Sequence, residues 1–164
     1  MSRSAEDRVQ AELRLIRDNV PGVQGSLVAT NDGFLVAHDI PGIEPTAVAA
    51  LAAATRSLSG RATQSTGRGQ FREAISRGSN GYLVVYAAGR NALLSVVGTT
   101  ELNIGMLHYQ TREIAERIAT YAAEFATRPV PVPAPPPVRP ANDRGGLPVR
   151  RPAPLPVRRK VAGP

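Results

Sequence analysis

The chain has 164 residues and a net charge of +7, with 2 histidines and no cysteine. Its length fits one domain of ordinary size with a short remainder. The lack of cysteine excludes disulfides and thiolate chemistry, and two histidines leave a structural zinc site short of ligands. No apolar run approaches the roughly 20 residues that span a bilayer, and the N-terminus lacks the apolar core of a signal peptide, so we expect a cytoplasmic protein.

The positive charge is confined to the C-terminal part of the sequence. Residues 1–127 contain 12 Arg and 12 acidic residues and are neutral. Residues 128–164 contain seven Arg and Lys160 against Asp143, together with 12 of the 15 prolines. Proline at this density prevents helix formation and removes the donors of a sheet. We therefore predict a folded domain over 1–127 and a disordered, basic Pro/Arg-rich tail over 128–164.

A helix and a hairpin are predicted first in chain order. Apolar residues recur at helical spacing at Val9, Leu13, Ile16 and Val20, which predicts an amphipathic helix over roughly 6–19. Two runs of β-type residues follow, GVQGSLVAT and FLVAH, and the Asn31-Asp32-Gly33 segment between them is typical of a hairpin loop. Ser26, His38 and Asp39 have the residue types of a catalytic nucleophile, base and acid. Nothing beyond those residue types supports a catalytic triad here.

The next predicted element is an Ala-rich helix, TAVAALAAATRSLSGRA. One helical stripe is expected to face the core, and it consists of Val48, Leu51, Thr55, Leu58 and Ala62. A second stripe of small residues lies about 90° around the helix and consists of Ala47, Ala50, Ala54 and Ser57. Small side chains let another backbone come close, so this stripe indicates a helix–helix contact. The alternative is that alanine is simply a good helix former.

Residues 60–70, GRATQSTGRGQ, are interpreted as a flexible connector. A phosphate-binding loop would need a lysine beside its glycines, and the chain's one lysine is Lys160 in the tail. The sequence therefore excludes that the chain is itself a GTPase.

Three strands and a long helix complete the predicted domain. FREAISRG, YLVVYAAG and ALLSVVGT are separated by tight-turn sequences and predict a meander. Charges on both faces of FREAISRG mark an edge strand, whereas the other two runs are apolar and central. From about Asn103 to Ala126, one helical face carries Leu107, Ile114, Ile118, Tyr121 and Phe125, and Glu113 can pair with Arg117. The order predicts an α+β sandwich with a predominantly antiparallel five-stranded sheet.

Catalysis and nucleic-acid binding are not indicated by the remaining polar and aromatic residues. The sequence has no paired carboxylates suited to general acid–base catalysis. His108 is expected at a surface or boundary position. The seven aromatic residues include no Trp, and Phe34, Tyr82, Tyr86 and Phe125 are expected in core-like positions rather than as stacking platforms. We therefore expect a binding module with no cofactor, no metal and no specific nucleic-acid partner.

Three stretches, in this order and spacing, carry a family resemblance: VPGVQGSLVATNDGFLVA, GYLVVYAAGRNALLSVVGT and ELNIGMLHYQTREIAERI. With the Ala-rich helix between the first two, they resemble the Roadblock and dynein light chain family, specifically the actinobacterial members encoded in conservon operons. The likeness spans roughly residues 5–125. It implies a Roadblock-like (profilin-like) sandwich that forms a small homodimer and regulates a Ras-like small GTPase without catalytic residues, often alongside a sensor histidine kinase-like protein.

The edge strand and the small-residue stripe provide a hypothesis for the homodimer. An edge strand has unpaired backbone groups that a second copy can continue as a shared sheet. We predict an isologous interface of Ala47, Ala50, Ala54, Ser57, Phe71, Ala74, Ile75 and Arg77. Arg56, Arg61 and Arg68 are candidate contacts to the GTPase.

Two other functions stay open. One is a small-ligand sensor, although no convergent polar groups among the expected core positions would orient a ligand. The other is an adaptor whose tail binds an acidic partner or makes a weak contact with an anionic membrane. Binding to membrane-associated partners would place the otherwise cytoplasmic protein at the membrane periphery. Use as a linker or for solubility is the commonest fate of such tails, and nucleic-acid binding ranks below these.

Overall fold

The computed structural model describes residues 4–125. Its elements, in chain order, are α1 (Ala5–Asn19), β1 (Val23–Thr30), β2 (Leu35–Asp39), α2 (Pro45–Ser65), β3 (Glu73–Gly78), β4 (Gly81–Ala88), β5 (Ala92–Gly98) and α3 (Ile104–Phe125). This order confirms the α+β prediction. The predicted tail lies outside the described residues, so its boundary stays a prediction. Within residues 4–125, no helix is long and apolar enough to cross a membrane.

Within this part of the chain the strands form one five-stranded sheet in the order β2-β1-β5-β4-β3. Each neighbouring pair is antiparallel. β4 and β5, the two apolar runs, lie inside the sheet, and β3 with its charges lies at one edge. The edge position that the sequence predicted for β3 is therefore confirmed.

Helices cover both faces of the sheet. α1 and α3 pack on the face that carries Val28, Val84, Tyr86, Leu94 and Val96. α2 packs on the other face, which carries Leu27, Ala29, Val85 and Leu93. The predicted inner faces of α1 and α3 are confirmed at Val9, Leu13, Ile16, Leu107, Ile114 and Ile118, which are all buried. Tyr121 is half-buried, and the side chain of Phe125 lies outside the described residues.

The predicted inner stripe of α2 is correct at Val48 and wrong at Leu51, Leu58 and Ala62. The buried residues of this helix are Val48, Ala49 and Ala52, whereas Leu51 is 61% exposed and Leu58 is 71% exposed. The side chains that lie against the sheet are therefore mostly alanines, which allow the helix backbone to come close to it. Because apolar residues occur around the whole helix, their periodicity did not determine which side is buried.

Two other expectations need correction. α2 continues to Ser65, so the first part of the predicted connector is helical and residues 66–72 alone join α2 to β3. Phe34, expected in the core, is exposed beside the first hairpin turn. The backbone of Phe34 instead helps to close the turn. Its N–H donates to the Thr30 hydroxyl, and its carbonyl accepts from the Thr30 N–H.

Candidate partner-binding surface

The polar residues around the first hairpin do not form a reactive site. Ser26 is completely buried, and its neighbour across the strands, Asp39, pairs with Arg17 at 2.7 Å. His38 is the residue before Asp39 on the same strand, so its side chain points to the opposite face of the sheet. The three side chains therefore cannot act together as nucleophile, base and acid.

Asn31, Asp32 and Gly33 form the hairpin turn that the sequence predicted. The Gly33 N–H donates to the Thr30 carbonyl at 2.9 Å, and Gly33 has a φ of +86°, a conformation that favours glycine. The Asn31 N–H donates to the Asn91 carbonyl at 3.2 Å, and the Asn31 side-chain amide donates to the Arg90 carbonyl. Asn31 thus joins this turn to the turn between β4 and β5.

The outer face of α2 is apolar and open to solvent. It carries the exposed leucines Leu51 and Leu58, which are seven residues apart and therefore two helical turns apart on one side. The predicted small-residue stripe is exposed on the same helix, at Ala47, Ala50, Ala54 and Ser57. An exposed apolar face of this kind is typical of a surface that contacts another protein.

The edge strand β3 borders this helix. Alternate residues point to alternate faces: Glu73, Ile75 and Arg77 share a face with Tyr86, Val84 and Tyr82 of β4, on the side of α3. Ala74 and Ser76 point to the side of α2. Ile75 is an exposed large apolar side chain, and Arg77 lies over the Tyr82 ring at 5.5 Å from its centroid.

Phe71 connects α2 to the start of β3. It is half-buried and packs with the core beneath α2, and a Cβ atom added to Gly60 would lie 3.6 Å from the Phe71 Cβ. Phe71, one of the predicted interface residues, therefore packs beneath α2 and not on its outer face. Ala74 is also half-buried, whereas Ile75 and Arg77 are exposed.

The surface formed by α2 and the following connector is basic. From Pro45 to Arg72 the sequence contains four arginines, including the candidate GTPase contacts, and no acidic residue. Arg61 and Arg68 are exposed, whereas Arg56 is half-buried. The buried Nε of Arg56 has no hydrogen-bond partner within residues 4–125. The three predicted arginines thus lie on one helix and its connector, with no carboxylate between them in the sequence.

A polar cluster lies on the α3 side of the same edge, and sequence reasoning missed it. The Tyr86 hydroxyl is 2.9 Å from Nδ1 of His108, and a carboxylate oxygen of Glu73 is 3.4 Å from that nitrogen. Burial raises the pKa of Tyr86 to about 12, a hydrogen bond with Thr111 opposes this shift, and the Glu73 charge adds to it. Nothing in the local sequence of the three residues indicated this cluster; the register that sets Glu73 opposite Tyr86 creates it.

No metal site is built from the side chains of residues 4–125, where no group of three or more His, Asp or Glu residues is arranged to hold an ion. Residues 4–125 thus combine an exposed apolar helix face, an open strand edge and the arginines of α2 and its connector.

The chain is similar in sequence to known proteins. The family model of the Roadblock/LC7 domain matches residues 10–98. The chain is 28% identical over 113 residues to the uncharacterised protein MJ1340 of Methanocaldococcus jannaschii, a match that covers 68% of this chain and 95% of that protein.

Solved structures share the fold. The gliding protein MglB from Thermus thermophilus is 21% identical with a TM-score of 0.68, covering 76% of this chain and 95% of that one. A Roadblock/LC7 domain from Streptomyces avermitilis is 21% identical with a TM-score of 0.65, covering 70% and 97% respectively. Because the family model matches more than half of the sequence, the chain belongs to the Roadblock/LC7 domain family.

Proposed function

We propose that this chain is a non-catalytic homodimeric regulator or scaffold that binds a Ras-like small GTPase in a bacterial signalling complex. The observation that carries the proposal is the outer face of α2, where Leu51 and Leu58 are more than half exposed beside an open strand edge. Membership in the Roadblock/LC7 family supports the same function, because the resemblance drawn from the sequence implies a GTPase partner.

Self-association removes the exposed apolar surface. Burial of a leucine side chain contributes about 1.5–3 kcal/mol, and a two-fold dimer would bury two leucines from each copy. The alanines beside them let two α2 helices approach closely. The open edge of β3 supplies backbone donors and acceptors to the same interface, so the sheet would continue from one copy into the next.

The GTPase contact is assigned to the arginines of α2 and of the connector that follows it. Arg56, Arg61 and Arg68 occur in a segment without acidic residues, so they attract a partner with an acidic surface. In a homodimer the same arginines are present twice. A sensor histidine kinase-like second partner and a weak membrane contact through the tail belong to this proposal as well, and they are supported by the resemblance and by the composition of the tail.

The proposal is tested with the full-length chain and a Ras-like GTPase from the same genome, loaded with GDP or with a GTP analogue. Light scattering gives the mass of the chain alone and of the mixture, and GTP hydrolysis is measured with and without the chain. We expect a dimer that forms a complex with at least one nucleotide state. A monomer at high concentration, or no complex in either state, would overturn the proposal.

Matched arginine variants locate the contact. The triple variant R56A/R61A/R68A should weaken the complex, whereas a control that removes three exposed arginines elsewhere, R14A/R90A/R112A, should leave it unchanged. The two variants remove equal charge, so a general electrostatic effect would weaken both complexes equally and would contradict this assignment.

A further inference from the structure

We infer that one end of the folded domain docks on an anionic lipid bilayer, with Phe34 inserted among the headgroups and with Arg72 and Arg90 against the lipid phosphates. This end, called the Phe34 end below, is where β1 turns into β2, β4 turns into β5 and β3 begins. The inference goes beyond the proposed function, in which a membrane contact is confined to the tail. It requires neither a GTPase nor a second copy of the chain.

Hydrogen bonds hold the loops of the Phe34 end side by side. The Asn31 N–H donates to the Asn91 carbonyl at 3.2 Å, which joins the two turns. The Ala87 N–H donates to the Arg72 carbonyl at 2.9 Å, so Arg72 lies beside the last residues of β4, and Arg90 lies in the turn that follows that strand. Neighbouring strands are about 4.8 Å apart, so the end spans roughly 20 Å from β2 to β3.

Phe34 is held at the surface by a fixed backbone. Its side chain is 49% exposed and packs in neither hydrophobic core of the described chain. Its N–H and its carbonyl both bond to Thr30, at 3.1 and 2.8 Å. The turn also packs on α2, because a Cβ atom added to Gly33 would lie 3.3 Å from the Ala50 Cα. An apolar side chain on a backbone that is already ordered loses little conformational freedom when it enters a lipid interface.

The two arginines of this end are available to lipid phosphates. Arg72 and Arg90 are exposed, and neither forms an ion pair or a side-chain hydrogen bond with the described part of the chain. A guanidinium binds a phosphate through two parallel N–H donors. Asp32 adds a negative charge in the first turn, whereas the Glu73 carboxylate lies 3.4 Å from His108 on the side of α3.

The chain enters its basic tail at the same end. β4 and α3 run in the same direction, because Tyr86 contacts His108 and a Cβ atom added to Gly89 would lie 2.8 Å from the Ala119 Cβ. From there α3 continues for about 9 Å and ends at Phe125. The predicted tail that follows carries seven arginines and one lysine against one acidic residue. Each basic residue near an anionic leaflet adds to the attraction, so the tail and the Phe34 end attract the same membrane.

The layout of the Phe34 end favours a bilayer over other anionic partners. Phe34, Arg72 and Arg90 lie on separate loops across roughly 20 Å, and not along a groove that would hold a nucleic-acid strand or a peptide. An exposed aromatic side chain among basic residues is typical of a surface that inserts shallowly into an anionic leaflet.

Tryptophan fluorescence measures the insertion, because the chain has no tryptophan of its own. Full-length F34W is mixed with vesicles of equal parts phosphatidylserine and phosphatidylcholine, or with vesicles of phosphatidylcholine alone. We expect a blue shift with the anionic vesicles and quenching by lipids that are brominated along their acyl chains. The control L15W places tryptophan at a leucine of α1 that is 44% exposed, and it should show neither effect. If F34W shows no blue shift, or no more than L15W, the inference is wrong.

Vesicle sedimentation measures the contribution of the arginines. The full-length variant R72Q/R90Q should partition onto the anionic vesicles about tenfold less than the unmodified chain, or lower still. R14Q/R112Q removes two exposed arginines from α1 and α3 and should reduce partitioning by less than about threefold. Equal losses would indicate a general electrostatic attraction. An unchanged partition in R72Q/R90Q would indicate binding by the tail alone. Either result would overturn the docking of the Phe34 end.

Soluble polyanions separate a bilayer from other acidic partners. Polyglutamate and duplex DNA supply negative charge without an apolar layer, so they should shift the F34W emission far less than the anionic vesicles do. An equal shift with either one would assign the Phe34 end to an acidic protein or to a nucleic acid and would overturn the inference. These measurements contain no GTPase, so their failure would leave the proposed function in place.

Discussion

Arg117 on α3 donates two hydrogen bonds of 2.8 Å to the carboxylate of Glu12 on α1, across 105 positions of the sequence. The Glu12 side chain is only 10% exposed, and Arg117 is half-exposed above it. The hydrogen bond to Glu12 raises the pKa of the Arg117 guanidinium. The bidentate pair joins the first and last helices on the face of the sheet opposite α2.

We expect E12Q to lower the free energy of unfolding by about 1–2 kcal/mol, because glutamine keeps the shape but loses the charge and one strong acceptor. Urea denaturation measures the loss. Glu113 provides the matched control: it lies 3.7 Å from the same guanidinium but is 82% exposed, so E113Q should change stability by less than about 0.5 kcal/mol. Equal losses in the two variants would show that burial of Glu12 does not matter.

The raised pKa of Tyr86 predicts a loss of stability in alkaline solution. The folded protein retains the Tyr86 proton up to a pKa of about 12, whereas the unfolded chain loses it near 10.0, so the folded state binds more protons between these values. Stability from this group is therefore complete below pH 10 and falls as the pH rises through 12, by about 2–3 kcal/mol in total.

Two measurements check this expectation. An absorbance titration of the tyrosines should show one of the four ionising last, and Y86F should remove that step. Y86F should also flatten the alkaline decrease in unfolding free energy. It should cost about 1 kcal/mol at neutral pH, because it removes the hydroxyl that contacts His108. An unchanged alkaline slope in Y86F would contradict the assignment.

Gly33 should tolerate a side chain less well than Gly42. Both have positive φ values, +86° and +73°, so alanine at either position is strained by roughly 1–2 kcal/mol. At Gly33 an added Cβ would also lie 3.3 Å from the Ala50 Cα, whereas at Gly42 it would meet nothing within 4 Å. Thermal unfolding should therefore rank G33A below G42A. The reverse order would show that the turn can move away from α2.

The elements of this fold could be predicted where the sequence has local signals. Asn31-Asp32-Gly33 indicated the first hairpin, and the charges of β3 indicated an edge, because turns and edges impose residue types on the positions that form them. The orientation of α2 could not be predicted in the same way. Apolar residues, mostly alanines, occur on every side of that helix, and the distance between its backbone and the sheet determines which of them fit beneath it.

The residues of the candidate surface divide in the same way, into those that a local sequence pattern indicated and those that it did not. The exposed small-residue stripe at Ala47, Ala50 and Ala54 was predicted, because its spacing is visible in the sequence. The exposure of Leu51 and Leu58 was not, since leucine at helical spacing usually indicates a core. The Glu73–His108–Tyr86 cluster depends on strand register and on the position of α3 over the sheet, which no local pattern encodes.

The exposed leucines of α2 give the sharpest test of the proposed interface. In the isolated chain they contribute little to folding, so L51S/L58S should unfold close to the temperature of the unmodified chain when both are compared as monomers at high dilution. Self-association should weaken at least about tenfold, because each copy loses the burial of two leucines. Analytical ultracentrifugation over a concentration series measures this. The control L15S alters a leucine that is 44% exposed on α1 and should leave association intact. If L15S weakens association as much as L51S/L58S, the outer face of α2 is not the contact surface.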